Sequence, residues 1–328
     1  MESEVEKLFS HQVRAEAAHL FGAEADALEL LGDFENYVFG YEKEGQQRVL
    51  RISHPSHRTR LQIEAELHWV DYLADAGVRV ARPIGSTQGA LLHTIELGAA
   101  TFHVCAFERM PGRHPQTEDW TPELFRNWGQ FLGRCHSLSV GYEPPPDLPR
   151  RHTRMNDPYV LQGRDWIPEA KYREQWDRVW TEIAGLSQDV QHYGVCHTDL
   201  HQSNFHVDGG RIHAFDTDDC CYCWFVEDIS SVFFYGAKHP ASGADVKAFF
   251  DWSWPAFWAG YRSEHRLDPE WLDRVHLFQR ARELILYAVA HKKFEPGHEW
   301  RERFLAHQRP RLDSERPILD VEYRDLPG

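Results

Sequence analysis

The sequence predicts an α+β fold with a small antiparallel β-sheet near the N-terminus and a larger, mainly helical part after it. Up to residue 108, apolar residues mostly alternate with polar ones and are interrupted by Gly-containing turns. From residue 121 onward they recur every three or four positions, which is the spacing of amphipathic helices. We therefore expect an N-terminal β-rich lobe over residues 1–108 and a larger C-terminal helical lobe over residues 109–328.

The composition narrows the possible partners. The net charge of the 328 residues is −15, and the basic residues form no block, so neither nucleic acid nor an anionic membrane is an expected partner. We find no apolar run of membrane-spanning length and no signal-peptide layout near the N-terminus. We expect a cytoplasmic protein with reduced cysteines, either a monomer or a homodimer.

The N-terminal lobe is expected to contain one sheet and one main helix. Residues 1–21 predict an amphipathic helix, and residues 27–53 predict a three-stranded meander. The helix after the meander spans residues 56–76 and carries Glu66, and two further strands follow at residues 90–97 and 101–107. The turn from Gly32 to Asn36 is where backbone amides could face a phosphate.

The C-terminal lobe is expected to be helical on both sides of one strand-rich segment. Thr121 and Pro122 form an N-cap followed by proline, which predicts a helix start. The charged tail from Arg309 is expected to be poorly ordered. The other predicted helices span residues 171–186, 227–235, 243–261, 269–291 and 299–307.

The segment from Cys196 to Asp219 concentrates the polar residues that could carry chemistry. It reads as strand, loop, strand, turn and strand, with Asp208-Gly209-Gly210 as the turn. We expect this hairpin to bring Asp199, Asn204 and Asp216 together. Because carboxylates framed by apolar strands need a partner, a cation or a substrate proton is expected there.

Two chemistries fit this segment. His197, Asp199 and His201 alternate along the chain and could bind a transition metal. Alternatively, Asp199 accepts a proton from a substrate hydroxyl, while Asn204 and Asp216 bind Mg²⁺ on the phosphates of a nucleotide, as in protein kinases. The kinase hypothesis also accounts for the upstream β lobe, whereas the metal hypothesis leaves Asn204 unexplained. A third reading treats these residues as ordinary strand histidines and turn aspartates.

The motifs also resemble a known family. His-Thr-Asp-Leu-His-Gln-Ser-Asn at residues 197–204 and Phe-Asp-Thr-Asp-Asp at residues 215–219 resemble the His-Gly-Asp-Leu-His-x-x-Asn and Asp-Phe-Asp-Asp signatures of the aminoglycoside phosphotransferase and choline kinase family. Within this family, the Glu35-Asn36 turn, Val-Leu-Arg-Ile at residues 49–52 and the helix with Glu66-Leu67 resemble a bacterial branch that includes homoserine kinases and stress-response Ser/Thr kinases. The resemblance covers about residues 25 to 295 and implies a bilobal, protein-kinase-like fold.

The resemblance implies a role for each motif residue. Asp199 would be the catalytic base, with His197 supporting the catalytic loop. Asn204 and Asp216 would bind Mg²⁺, and Asp218 would be a further metal ligand or lie one shell away from the metal. The residues implied in ATP binding are Gly32, Asn36, Arg51, Glu66 and, at the hinge between lobes, Phe107, Glu108 and Met110. Asp228 would brace the catalytic loop.

The chain departs from the family pattern at three positions. Arg51 stands where most kinases have lysine, so it either grips phosphate with Glu66 as its partner or forms a purely structural pair with Glu66. Thr198 replaces the usual glycine of the catalytic loop, and Thr217 replaces an apolar residue after Asp216. Since neither threonine removes a functional oxygen, we expect activity to survive both changes.

The predicted function is an ATP- and Mg²⁺-dependent kinase that transfers the γ-phosphoryl group to a hydroxyl of a small molecule of the aminoglycoside, amino alcohol, homoserine or sugar class. A Ser/Thr protein kinase is the alternative within this chemistry, and a non-catalytic nucleotide-binding module or a metallohydrolase are alternatives outside it. The residues expected around the acceptor are Asp218, Asp219, Tyr222, Trp224, Glu227, Tyr159, Trp166 and Trp258.

Overall fold

The chain divides into two compact units in a computed structural model that describes residues 3–243 and 245–326. The first unit contains a six-stranded sheet, and the second is mainly helical. The predicted α+β class is therefore confirmed. The first unit comprises residues up to Pro111 with Glu143–Arg151 and His213–Asp218, and the second comprises Gly112–Tyr142, His152–Ile212 and the chain from Asp219 onward.

The sheet of the first unit is antiparallel throughout. Its strands are β1 (Glu29–Gly32), β2 (Tyr37–Lys43), β3 (Gln46–Ser53), β4 (Pro83–Ile84), β5 (Leu92–Leu97) and β6 (Ala100–Glu108). The order is β1-β2-β3-β6-β4, and β5 also pairs with β6. The predicted meander from residue 27 to residue 53 is confirmed as β1 to β3.

The N-terminal segment forms two helices, so the prediction of a single helix is wrong. The first, α1, spans Ser3–Leu8, and the second, α2, spans His11–Phe21. Ser10 separates them because its Oγ accepts a hydrogen bond from the Val13 amide at 3.2 Å, which makes it the N-cap of α2. A capping side chain thus interrupts an apolar spacing that would otherwise continue.

Helix α3 spans Arg60–Asp75 and begins with a capping box formed by Thr59 and Gln62. It packs on one face of the sheet. Ile63 and Leu67 of this helix share a core cluster with Cys105 and Phe107 of β6. Because side chains alternate along a strand, the intervening β6 residues face a second cluster that includes α2.

The second unit is built from seven helices within the described chain. They are α4 (Pro122–Val140), α5 (Pro158–Trp166), α6 (Ala170–Ala184), α7 (Phe225–Gly236), α8 (Val246–Glu264), α9 (Val275–Lys293) and α10 (Glu299–Ser314). The predicted helices are present, and the Thr121 side chain caps α4 as expected, accepting from the Leu124 amide at 3.3 Å. Helix α5 was not predicted, because nine residues carry little periodic signal.

Helices α4 and α8 approach each other at glycines. A Cβ at Gly129 would lie 2.0 Å from the Phe257 carbonyl oxygen, and a Cβ at Gly260 would lie 2.0 Å from that of Arg126. Any side chain at either position would therefore separate the two helices.

The polar segment of the second unit begins at strand β7 (Tyr193–Cys196) and continues through β8 (Phe205–Asp208) and β9 (Arg211–Ala214). The predicted strand, loop, strand, turn and strand are confirmed. An unpredicted strand, β10 (Cys221–Trp224), pairs antiparallel with β7. All six cysteines are free and buried, and burial raises the pKa of the Cys196 thiol to about 12. The Cys196 thiol is therefore protonated and poorly reactive.

The described part of the C-terminal tail, residues 309–326, packs on the second unit, contrary to the prediction from its composition, and residues 327–328 lie outside the described chain. Helix α10 continues to Ser314, and Tyr323 is buried. The Tyr323 ring lies 5.1 Å from the Trp254 ring, and its hydroxyl accepts a hydrogen bond from Gln279 Nε2 at 3.1 Å. Tyr323 and the fully buried Leu312 thus anchor a segment that is rich in charged residues. No helix in the described residues has the length and apolar character needed to span a membrane.

We predict that Tyr323→Ala lowers the free energy of unfolding by about 3–5 kcal/mol, because it removes a buried aromatic ring. Tyr323→Phe keeps the ring and loses only the hydrogen bond to Gln279, so it costs about 1 kcal/mol. Urea denaturation followed by tryptophan fluorescence measures both values. Equal stability of Tyr323→Ala and wild type would contradict the anchoring role.

Candidate active site

The predicted catalytic loop, residues 197–204 of the second unit, contains a strained residue at its second position. Thr198 has φ 65°, a conformation that a β-branched side chain adopts at a cost. Three contacts hold it there. The Asp228 carboxylate accepts from the amides of His197 (3.1 Å) and Thr198 (2.7 Å), and Thr198 Oγ1 donates to the Asp219 carbonyl oxygen at 2.9 Å. The strained conformation also explains why glycine is usual at this position.

Asp199 follows the strained residue, and side chains surround its carboxylate. Oδ1 lies 3.3 Å from Arg282 Nη1 and 3.4 Å from the Tyr235 hydroxyl. Oδ2 lies 3.2 Å from Asn204 Nδ2 and 3.4 Å from His201 Nε2. The side chain is still 22 % exposed, so a substrate hydroxyl can reach the carboxylate.

The environment keeps Asp199 ionised. Burial by itself raises the pKa of the carboxyl group, but the charges of His201, Arg282 and His197 outweigh it and lower the pKa to about 2. Asp199 is therefore a hydrogen-bond acceptor at neutral pH and only a weak base.

The structure brings Asn204 against Asp199. Its Nδ2 donates to the Asp199 carbonyl oxygen at 2.9 Å as well as to the carboxylate, and its backbone amide donates to the His201 carbonyl oxygen at 2.8 Å. These bonds use the nitrogen of the side chain and leave the amide oxygen for another ligand. A hard cation accepts such an oxygen.

The transition-metal site considered from the sequence is not assembled in the described residues. His197, Asp199 and His201 do not place three ligand atoms close together. A different buried trio, His136, Cys196 and Asp228, has ligand atoms within 4.8 Å of one another.

The members of this trio are already engaged. Asp228 binds two backbone amides and His136 Nε2 at 3.0 Å, and His136 Nδ1 lies 2.8 Å from the Tyr261 hydroxyl. The Cys196 thiol is held protonated by its raised pKa. We therefore read the trio as support for the catalytic loop.

In the first unit, Arg51 and Glu66 form a buried bidentate ion pair. Arg51 Nη1 and Nη2 lie 2.8 and 2.7 Å from the two Glu66 carboxylate oxygens. Thr217 Oγ1 donates a third hydrogen bond to Glu66 at 2.8 Å. Thr217 thus makes a contact that the usual apolar residue could not make. The ion pair is held by residues from three elements, namely Arg51 on β3, Glu66 on α3 and Thr217 after β9.

Asp218 lies among cationic and amide groups of the first unit. Its carboxylate contacts His57 Nε2, accepts from Asn36 Nδ2 at 3.3 Å and lies 3.8 Å from Arg51 Nη1. Burial opposes ionisation, but His57, Arg58 and Arg51 hold the pKa of this carboxyl well below its usual range. Because protein cations already balance its charge, Asp218 suits a place one shell away from a metal better than direct coordination.

The turn between β1 and β2 is tied to Asp218. Asn36 is buried and makes the hydrogen bond described above, while Glu35 Oε2 lies 3.5 Å from His57 Nδ1. Gly32 ends β1 next to a register irregularity, and a Cβ there would meet no atom within 4 Å. The turn is therefore positioned by side chains rather than by a need for glycine.

The predicted hinge residues end β6. The Phe107 ring is buried, with the Arg51 guanidinium 5.1 Å from its centroid. The Glu108 amide donates to the Arg82 carbonyl oxygen at 2.9 Å. Met110 packs partly buried against the α3 core cluster. The Glu108 amide is therefore already engaged within the first unit.

Asp216 is the most exposed of the predicted metal ligands. It follows β9 in the first unit and has φ 61°, a conformation that is uncommon for a residue other than glycine. The preceding Phe215 packs against the α3 core cluster. Packing of the neighbour thus supports an unusual backbone conformation that turns Asp216 toward solvent.

Several residues expected around the acceptor have other roles. Trp224 and Trp258 are buried in the core of the second unit, so the expectation that they line an acceptor site is wrong. Glu227 pairs with Arg154 and accepts from Cys223 Sγ at 2.6 Å.

The aromatic pair Tyr159 and Trp166 already has a cationic neighbour. The Lys292 ammonium lies 4.5 Å from the Trp166 ring and 5.8 Å from the Tyr159 ring. A cationic substrate would have to displace this ammonium group to use the ring faces.

Sequence reasoning missed Arg282, Tyr235 and His57. Arg282 is buried on α9 between Ala281 and Leu284, which are also buried, and an arginine within an apolar stripe was its only signal. Neither Tyr235 nor His57 lies in a motif. Only tertiary structure brings them to carboxylates that the motifs contain.

Comparisons with known proteins identify the family of this chain. The phosphotransferase enzyme family matches residues 26–266. The chain belongs to this family. It is 33 % identical over 331 residues to amicoumacin kinase of Bacillus subtilis (strain 168), covering 98 % of both chains. A solved amicoumacin kinase in complex with AMP-PNP, Ca²⁺ and Ami matches with a TM-score of 0.93 and 30 % identity, covering 99 % of this chain and 100 % of that one.

The family also settles the class of enzyme. This phosphotransferase is a kinase of the small-molecule type, as its motifs predicted, and its protein-kinase-like fold is confirmed. A microcompartment-associated aminopropanol kinase shares that fold with a TM-score of 0.75 at 20 % identity, covering 93 % of this chain and 98 % of that one. The predicted resemblance to aminoglycoside phosphotransferases and choline kinases is therefore confirmed.

Thr217→Val is predicted to lower the free energy of unfolding by about 1–3 kcal/mol, because the buried Glu66 carboxylate loses one of its three donors. Turnover should stay within about fivefold, since the Arg51–Glu66 pair itself is retained. Urea denaturation and steady-state kinetics measure the two effects. Thr101→Val on β6 is the matched control, as this hydroxyl makes no side-chain hydrogen bond among the described residues, and an equal loss in both variants would contradict the role of Thr217.

At Thr198, alanine is predicted to be less stable than glycine by about 1 kcal/mol, which reverses the usual order. The positive φ strains any residue with a Cβ, and alanine also lacks the hydroxyl that bonds Asp219. Urea denaturation of Thr198→Ala and Thr198→Gly measures the difference. Thr181 on the exposed face of α6 is the control site, where alanine should be the more stable, and the same order at both sites would refute the strain.

Proposed function

We propose that this kinase transfers the γ-phosphoryl group of ATP to a hydroxyl of an amine-bearing small molecule, with amicoumacin as the first candidate. The observation that carries the proposal is Asp199, an ionised and partly exposed carboxylate fixed on both oxygens. The full-length similarity to amicoumacin kinase supports the acceptor class. The net charge of −15 also favours the approach of a cationic acceptor.

In the proposed reaction, Asp199 orients the acceptor hydroxyl toward the γ-phosphorus. The acceptor oxygen forms the new P–O bond while the bond to the bridging oxygen of ADP breaks, and ADP leaves with that electron pair. The hydroxyl proton passes to the Asp199 carboxylate as the transfer completes. Because the carboxyl group has a pKa of about 2, it contributes mainly by orientation and late proton capture.

ATP and a divalent cation are the cofactors, in agreement with the AMP-PNP and Ca²⁺ of the amicoumacin kinase structure. The amide oxygen of Asn204 and the exposed carboxylate of Asp216 would hold the cation, since oxygen ligands of this kind suit Mg²⁺. When bound, the cation neutralises charge on the phosphates. We propose that Asp218 lies outside the direct ligands of the metal, because His57 and Arg51 already contact its carboxylate.

Nucleotide binding is assigned to the first unit. Arg51 uses both terminal nitrogens for Glu66, yet each of these nitrogens carries a second hydrogen that can point to a phosphate oxygen. The Arg51–Glu66 pair would therefore perform the role of the usual lysine with a more rigid group. The other residues proposed for ATP are Gly32, Asn36, Phe107, Glu108 and Met110.

The test is a substrate screen with Mg²⁺ and ATP against amicoumacin, aminopropanol, ethanolamine, homoserine and spectinomycin. ADP release and a mass gain of one phosphoryl group identify the acceptor. We expect amicoumacin to be phosphorylated. Phosphorylation of a protein substrate with no small-molecule turnover would favour the protein-kinase alternative.

Two variants test the assigned roles. Asp199→Asn should lose about 10³-fold in kcat while still binding AMP-PNP with Mg²⁺, because the base orients the acceptor and not the nucleotide. Asp216→Asn should lose Mg²⁺-dependent nucleotide binding, measured by thermal shift. Asp208→Asn, in the exposed hairpin turn, is the matched control. Undiminished transfer by Asp199→Asn would remove the base assignment.

A further inference from the structure

We propose that Arg282 of α9 is a positioning residue that fixes the Asp199 carboxylate and the strained Thr198 backbone through one guanidinium group. The inference rests on the proposed role of Asp199 as the residue that orients the acceptor. It adds a residue from the C-terminal part of the chain, which none of the kinase motifs includes.

The contacts of Arg282 lie on both sides of the bond between Thr198 and Asp199. Nη1 lies 3.3 Å from Asp199 Oδ1, and Nη2 donates to the Thr198 carbonyl oxygen and lies 3.4 Å from Ser231 Oγ. Because the guanidinium is planar, fixing one nitrogen fixes the other. The position of the carboxylate is thereby linked to the strained residue before it.

The charge of Arg282 is balanced where it is buried. Only 7 % of the residue is exposed, and Nη2 lies 3.9 Å from Glu227 Oε1 in addition to its catalytic-loop contacts. Glu227 also pairs with Arg154, and the Tyr235 ring lies 5.9 Å from the Arg282 guanidinium. Two carboxylates and an aromatic ring thus offset the cost of burying this arginine on an apolar helix face.

The other neighbours of Asp199 cannot replace this arginine. Among the contacts of the described residues, the side chains of Asn204, Tyr235 and His201 reach the Asp199 carboxylate and not the Thr198 carbonyl oxygen. A lysine at position 282 would supply one ammonium group, which cannot hold two oxygens in the same fixed plane. Without the two nitrogens of the guanidinium group, the Asp199 carboxylate could rotate. Misplacement of a catalytic group by about 1 Å can lower the rate by about 10²-fold.

The experiment compares Arg282→Gln, Arg282→Lys and the control Arg280→Gln in the amicoumacin phosphorylation assay. Arg280 lies on the same helix and pairs with Glu283 at 2.9 Å, away from the catalytic loop. We expect Arg282→Gln to lose about 10²-fold in kcat with KM for ATP within about twofold, Arg282→Lys to recover part of that loss, and Arg280→Gln to match wild type. Thermal shift with AMP-PNP and Mg²⁺ should be retained in all three.

A double-mutant cycle with Asp199→Asn separates positioning from general structural damage. If Arg282 acts through Asp199, adding Arg282→Gln to Asp199→Asn should change kcat by less than about threefold. The proposal would be overturned if the two losses in kcat multiplied in the double variant, or if Arg282→Gln kept the wild-type kcat. Should Arg282→Gln fail to fold, Arg282→Lys decides, and wild-type kcat in that variant overturns it equally. Full activity of Asp199→Asn would instead remove the base assignment of the proposed function.

Discussion

The need to give every buried carboxylate a partner determines most of the candidate site. An ionised carboxylate away from water is unfavourable unless charges or donors surround it. In the second unit, Asp228 binds two amides of the catalytic loop, and Asp199 contacts Arg282 and His201. In the first unit, Glu66 binds Arg51 and Thr217, and Asp218 contacts His57, Arg51 and Asn36. The partners of these four groups include the side chains that orient the motif residues.

Each of the three departures from the family pattern supplies a hydrogen bond to a polar group of the candidate site. Thr198 occupies a conformation that favours glycine, and its hydroxyl compensates by binding the Asp219 carbonyl oxygen. Thr217 gives Glu66 a donor that an apolar residue would lack. Arg51 replaces lysine and makes two hydrogen bonds to Glu66 where an ammonium group would act as a point charge. Each change adds a hydrogen bond, so the pattern of the family is altered without loss of a functional oxygen.

Much of the fold could be predicted, because apolar spacing survives in strands and long helices. The meander of β1 to β3 and the capped start of α4 follow directly from sequence. The errors lie where a single contact overrides composition. Ser10 divides the N-terminal helix, and Tyr323 orders a charged tail by packing on Trp254. Helix α5 and strand β10 are too short for their periodicity to be informative.

The sequence by itself determined the chemistry, since the types and spacing of Asp199, Asn204 and Asp216 identify a phosphotransferase motif. It also placed Arg51 and Glu66 on facing elements of the first unit. Only the tertiary structure decided which side chains hold these groups. Arg282 lies 83 residues beyond Asp199, and His57 lies 161 residues before Asp218. No local spacing encodes contacts across such separations, because they depend on how helices and strands pack.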